Sequence, residues 1–165
     1  MDGTSRIVVG TDGSPDAATA VHYALREAAR RALPLRVVAA VATPDYWTEA
    51  YVVARGLPEM PDLRETARAA ARTQIDQAVA ADPALGEVDV DVDVVSVEHG
   101  PRGRALVESA AGADLLVLGH RGHGAFSSAV LGSVGLYCVL HATSPVTIVP
   151  ADWKAESVPS TTTGS

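Results

Sequence analysis

Leu118-Gly119-His120-Arg121-Gly122-His123-Gly124 follows directly on an apolar run, and with nine residues intervening after Gly122 the pair Gly132-Ser133 opens a helical segment. Glycines after a strand let backbone amides approach an anion and take positive φ. The free N–H groups and the dipole of a helix start favour phosphate at the same place, and the Ser133 hydroxyl adds a donor. The same glycines suit a plain turn, and the residue types alone leave both readings open. Arg121 is likewise either a solvated charge or the neutralising partner of a terminal phosphate. A second glycine turn, Gly10-Thr11-Asp12-Gly13-Ser14, closes the first apolar run. Asp-Gly is also a common turn former, so Asp12 has a structural reading beside a ligand-contacting one.

The elements that carry these turns alternate. Ile7-Val8-Val9 reads as a short strand, and Ser14-Pro15-Asp16 as a helix start with Ser as N-cap and Pro at the first position. Helical spacing then runs to about Leu33. Leu35 to Val41 is a continuous apolar strand of the kind that parallel sheets bury on both faces. Residues 43–61, with three prolines, read as a surface excursion. A helix over Asp62–Ala81 ends at Asp82-Pro83. It is followed by a strand over Val88–Val97, a helix over Pro101–Ala111 and a strand over Asp114–Leu118. A helix over Ser133–His141 and a strand over Pro145–Val149 complete the series. This β-α alternation predicts one doubly wound parallel sheet with right-handed crossovers and helices on both faces. In such sheets ligands bind beyond the carboxyl ends of the strands, where the strand order reverses. Both glycine turns border one crevice if they flank that point.

Composition excludes several classes. The chain has 165 residues, 47% of them hydrophobic, which suits one domain. With only 4% aromatics, its core must be built from Val, Ala and Leu. A net charge of −7 with scattered basic residues argues against a nucleic-acid partner. No apolar run approaches the ~18 residues of a membrane span. The start has no signal-peptide pattern, so the expectation is a cytoplasmic location. The only lysine, Lys154, is far from any glycine turn, which removes a Walker A loop. No GxSxG elbow occurs. Asp89, Asp91 and Asp93 lack the Gly and Glu that a calcium loop needs at its sixth and twelfth positions, and read instead as the acidic side of an edge strand. Cys138 reads as a buried structural thiol. His120-Arg121-Gly122-His123 spells HxGH, a triphosphate-gripping motif of nucleotidylyl transferases. That motif belongs after the first strand, however, and here follows the fourth. No metal site and no catalytic residue is expected.

The pattern Gly119-x-x-Gly122-x9-Gly132-Ser133 resembles the ATP-binding signature of the universal stress protein family. The opening IVVGTDGSPDA and the ending HATSPVTIVP are also similar to that family, and together the three segments span residues 5–150. The resemblance implies a five-stranded parallel sheet of order 3-2-1-4-5, with ATP as cofactor, with or without Mg²⁺, between the first and fourth strands. By position, Asp12 and the backbone of Gly10 and Thr11 face adenine and ribose, and Val41 contacts the adenine. Gly119, His120, Gly122, Gly132, Ser133 and the Val134 amide surround ribose and phosphates, with Arg121 beside them. His120 stands where the family often has a small hydroxyl residue. The family usually forms a homodimer through the last strand, here Thr147–Pro150, which unlike the Asp89–Asp93 edge carries no acidic guard. The expected organisation is a nucleotide-binding domain over residues 1–153 and a disordered tail over 154–165. The expected role is a regulatory or sensing module that holds ATP with slow hydrolysis at most. The alternative is a weak ATPase or adenylyl-transferring enzyme using His120 or His123.

Overall fold

The computed structural model describes residues 5–43, 50, 53–56, 62–121 and 131–155. Most of the 43–61 excursion, together with Gly122, His123 and residues 156–165, lies outside the described residues. Strands β1 (Ile7–Thr11), β2 (Leu35–Ala42), β3 (Val90–Val97), β4 (Leu115–Gly119) and β5 (Val146–Val149) form one parallel sheet of order β3-β2-β1-β4-β5. This is the order that the family resemblance implies, on the parallel sheet that the β-α alternation predicts.

Helices α1 (Pro15–Arg31) and α2 (Leu63–Ala81) cover one face of the sheet, and α3 (Arg102–Ser109) and α4 (Ser133–His141) the other. The first face buries Ile7, Val9, Val37, Leu115 and Val117 against alanines of both helices, plus Leu25 of α1. The second buries Val8, Val38, Leu116 and Leu118 against Leu106, Ala110 and Cys138. Each fully buried Val or Leu contributes roughly 1.5–3 kcal/mol, enough for small residues in number to replace aromatic bulk. Burial pushes the Cys138 thiol up to about 11, and its Sγ lies 3.6 Å from the Gly103 carbonyl, as a structural thiol should.

Local signals placed most helix ends correctly. The Ser14 hydroxyl accepts from the Ala17 amide, and Asp62 caps α2 through the Arg64 and Glu65 amides. The strand expected from Val88 starts instead at Val90, because Pro83–Glu87 winds into a 3₁₀ turn closed by the Val88 amide on the Leu85 carbonyl. The acidic face of β3 is more than solvated. Arg36 of β2 reaches Asp93 at 2.6 Å and Asp91 at 3.7 Å, so cross-strand pairing holds the repeat in register. No helix among the described residues is long and apolar enough to cross a membrane.

Two glycines fix how closely the layers approach. A Cβ at Gly119 would lie 2.8 Å from the Asp16 carbonyl oxygen and 3.2 Å from the Ala17 nitrogen, both backbone atoms of α1. A Cβ at Gly10 would meet only side-chain ends, Leu118 Cδ2 at 2.7 Å and Leu106 Cδ1 at 2.9 Å. Methyl groups can rotate aside, whereas a helix backbone cannot. Overpacking costs typically about 1–3 kcal/mol, so Gly119→Ala should fall at or above the top of that range and Gly10→Ala near its bottom. Urea unfolding that ranks the two the other way would contradict the packing account.

Candidate functional site

The sheet order reverses between β1 and β4, since the chain winds outward to β2 and β3 in one direction and to β5 in the other. The β1–β4 ladder pairs Ile7 to Leu115, Val8 to Leu116 and Val9 to Val117, and goes no further. Beyond it, Gly10 and Thr11 stay with β2, opposite Val38 and Ala39, while Leu118 and Gly119 stay with β5, opposite Ile148 and Val149. The sheet therefore parts at its carboxyl edge. The two glycine turns flank that parting.

On the β1 side the turn is tied down by its own polar groups. Asp12 Oδ1 accepts from the Ser14 amide at 2.9 Å, and Thr11 Oγ1 accepts from the Gly13 amide at 3.1 Å. Gly13 takes φ +80°, which permits the turn without a side-chain clash. Thr11 is buried, and its hydroxyl donates to Gln74 Oε1 at 2.6 Å, while Gln74 Nε2 donates to the Ser14 carbonyl at 3.0 Å. Gln74 is the residue the sequence reading missed. Its signal was an amide at helical spacing with Ala71 and Ala78, in positions that all turn out buried. Val41 is half-buried opposite Ser96 on β3, two residues past the Thr11–Ala39 pair at the same end of the sheet.

On the β4 side, His120 works through its backbone. Its amide donates to the Val149 carbonyl at 3.0 Å, and its carbonyl accepts from the Gly132 amide at 3.2 Å. The second bond sets the start of α4 beside the end of β4. Gly132 is the α4 N-cap, with no side chain to cap the helix and no acid in its first turn. Helices α1 and α2 differ on both counts, carrying caps from Ser14 and Asp62 and acids at Asp16 and Glu65, whereas α3 shares both features but starts away from the parting, at Pro101 after β3. The amides of Ser133 and Val134 thus sit at a positive helix end that the protein leaves without a carboxylate, the electrostatic setting that favours an anion. Ser133 is exposed, Val134 is half-buried, and Arg121 is half-buried with no hydrogen bond or ion pair among the described residues. Gly119 packs against α1, so its lack of a side chain is already required by the fold. The structure gathers Gly10, Thr11, Asp12, Gly119, His120, Arg121, Gly132, Ser133 and Val134 at the parting, with Val41 at the same sheet edge. Gly122 and His123 lie outside the described residues.

Residues 3–150 match the sequence profile of the universal stress protein family. The chain belongs to that family. A universal stress protein of Mycobacterium tuberculosis is 32% identical over 155 residues, covering 88% of this chain and 48% of the relative. The chain thus spans about half the length of the curated relatives it matches. A universal stress protein from Burkholderia pseudomallei superposes with a TM-score of 0.58 at 30% identity, over 91% of this chain and 98% of that one. Another universal stress protein, crystallised in complex with cAMP, gives 0.57 at 25% identity, over 89% of this chain and 97% of that one. The five-stranded order 3-2-1-4-5 is the fold that this chain shares with these universal stress proteins.

Among the described residues, no three His, Cys, Asp or Glu side chains come together as a metal site.

The Gln74 bridge can be tested alone. Gln74→Leu keeps most of the volume but leaves the buried Thr11 O–H without its acceptor, while Thr11 Oγ1 still accepts from the Gly13 amide and the Ser14 carbonyl from the Ala18 amide. Leaving one buried donor unpaired costs about 1–3 kcal/mol. Urea unfolding should show a loss of that order, and a neutral effect would mean that the β1 turn does not depend on α2.

Proposed function

We propose that this chain is a nucleotide-binding regulatory or sensing module that holds ATP at the parting of β1 and β4, with little or no hydrolysis. The observation that carries this reading is the α4 start. It is uncapped, free of acids, and fastened beside the β4 end by the Gly132–His120 bond. The relative crystallised with cAMP supports an adenine nucleotide as the ligand class. In this reading the Ser133 hydroxyl and the Ser133 and Val134 amides take phosphate oxygens, and Gly119, His120, Gly122 and Gly132 line the ribose and phosphate path. Arg121 neutralises the terminal phosphate. The backbone of Gly10 and Thr11, with Asp12 and Val41, borders the adenine and ribose.

Asp12 already accepts the Ser14 amide, and no acidic cluster stands among the described residues to hold a cation by itself. A Mg²⁺ arriving with ATP would accordingly be held mainly by phosphate oxygens and water, as this ion tolerates. Binding then rests on preformed amides and a helix dipole, which stabilise a phosphate without activating water against it. The module holds its nucleotide.

Gly132 offers a clean test, because its φ of −60° and ψ of 154° are open to any residue. Gly132→Val should fold normally and place a branched side chain in front of the helix-start amides. Calorimetry should find ATP binding to the unaltered chain and none to the variant. Unchanged affinity in a folded variant would remove the phosphate cradle from the reading.

We also propose a homodimer paired through β5. This strand is a sheet edge in the described residues, its partner on one side being β4. An open edge free of acids is a template for a second copy. The adjoining α4 leaves Leu136, Val139 and Leu140 between 48% and 68% exposed. Their i, i+3, i+4 spacing gives one apolar stripe next to that edge. Light scattering at tens of micromolar should report a dimer, and Leu140→Glu should shift it toward monomer. A monomeric unaltered chain would refute the pairing.

A further inference from the structure

Away from the parted strands, a cavity of about 370 Å³ opens between α1, α2 and the residues that follow β5. Its size falls within the roughly 300–1,000 Å³ of small-molecule sites. Trp153 forms one wall. Its ring makes edge-type contacts with Tyr23 at 5.2 Å and 80° and with His22 at 5.8 Å and 88°. The Trp153 amide donates to the Pro150 carbonyl at 3.1 Å, which fixes the turn that carries the ring across α1. Ala18 and Ala78 give an apolar floor, and Gln77 and Lys154 stand at the rim. Gln74 also lines the cavity, but its amide is spent on Thr11 and Ser14, so it serves as a fixed wall.

One charged group lacks a partner. His22 Nε2 makes no hydrogen bond among the described residues but is closed off from solvent, so His22 serves the cavity as a wall. Lys154, the only ammonium side chain of the protein, is exposed and makes no ion pair among the described residues. Burial holds His22 below its ordinary pKa and the nearby Arg26 adds to this against Asp82. At neutral pH His22 is therefore uncharged, and Lys154 brings the charge.

We propose that this cavity is a second ligand site, specific for a small monocarboxylate with an aromatic or short aliphatic body. Its carboxylate pairs with the Lys154 ammonium and the Gln77 amide. The body lies against Trp153, Ala18 and Ala78. A phosphate ester fits less well, since the cavity offers one cation and no helix start. A cation would meet Lys154 at the rim.

The site carries its own reporter. The sequence has two tryptophans, and Trp47→Phe leaves Trp153 as the only one. Benzoate, titrated into this variant at constant ionic strength and without nucleotide, should change Trp153 emission along a saturable curve. Lys154→Ala, a change at an exposed side chain, should weaken benzoate about fivefold or more, the scale of one partly exposed charge-assisted contact. Uncharged benzyl alcohol should lose affinity to a similar extent. A linear, unsaturated response would overturn the site. Equal affinity in Lys154→Ala, or for benzyl alcohol, would overturn the carboxylate. Because no nucleotide is present, neither result bears on the β1–β4 reading.

Discussion

At Gly119 the end of β4 lies against the backbone of the first turn of α1, so close that a Cβ would stand 2.8 Å from the Asp16 carbonyl oxygen. Much of the upper edge of the molecule depends on this contact. It sets the height of α1 above the sheet, and with it the β1 turn that Ser14 joins to the helix. It also holds Gly119 in line with β5, where it pairs with Val149. On its other side, β1 keeps Gly10 and Thr11 paired with β2. The central strands are in register through Val9 and Val117 and then follow different neighbours. The parting is thus a consequence of packing, present before any ligand arrives.

The two sides of that parting are stabilised differently. The β1 turn is crowded with internal hydrogen bonds, and Gln74 ties it to α2 with both ends of one amide. Such a network makes the turn rigid and leaves few of its polar side chains with capacity to spare. The α4 side has the opposite character. One backbone bond anchors it, from Gly132 to His120, and its first turn carries neither a cap nor an acid. A rigid wall facing an electropositive helix start can orient a nucleotide and receive its phosphates.

Charge is also distributed unevenly between the sheet edges. At β3, Asp91 and Asp93 share Arg36, so the acids are partly compensated while still marking that edge. At β5 there are no acids, and the neighbouring α4 shows Leu136, Val139 and Leu140 to solvent. The contrast gives the molecule one edge that carries charge and one that carries no acids.

The sequence by itself determined the alternation of strands and helices, because apolar runs, the Ser14 and Asp62 caps and the Asp82-Pro83 stop are local signals. It also pointed to both glycine turns, since glycine after a strand has few other uses. Strand order came with the family resemblance, and the tertiary structure decided why it matters. Only there does Gly119 face the α1 backbone, giving that glycine a packing cause beside any role toward a ligand. Only there does Gln74, sixty residues from Ser14, complete the β1 turn, and Arg36 find Asp93 at |i−j| = 57. The tertiary fold likewise brought Trp153 back across α1 to wall a cavity. A chain states its local propensities residue by residue. Contacts between distant segments depend on how whole layers settle against one another, and no short stretch of sequence contains that information.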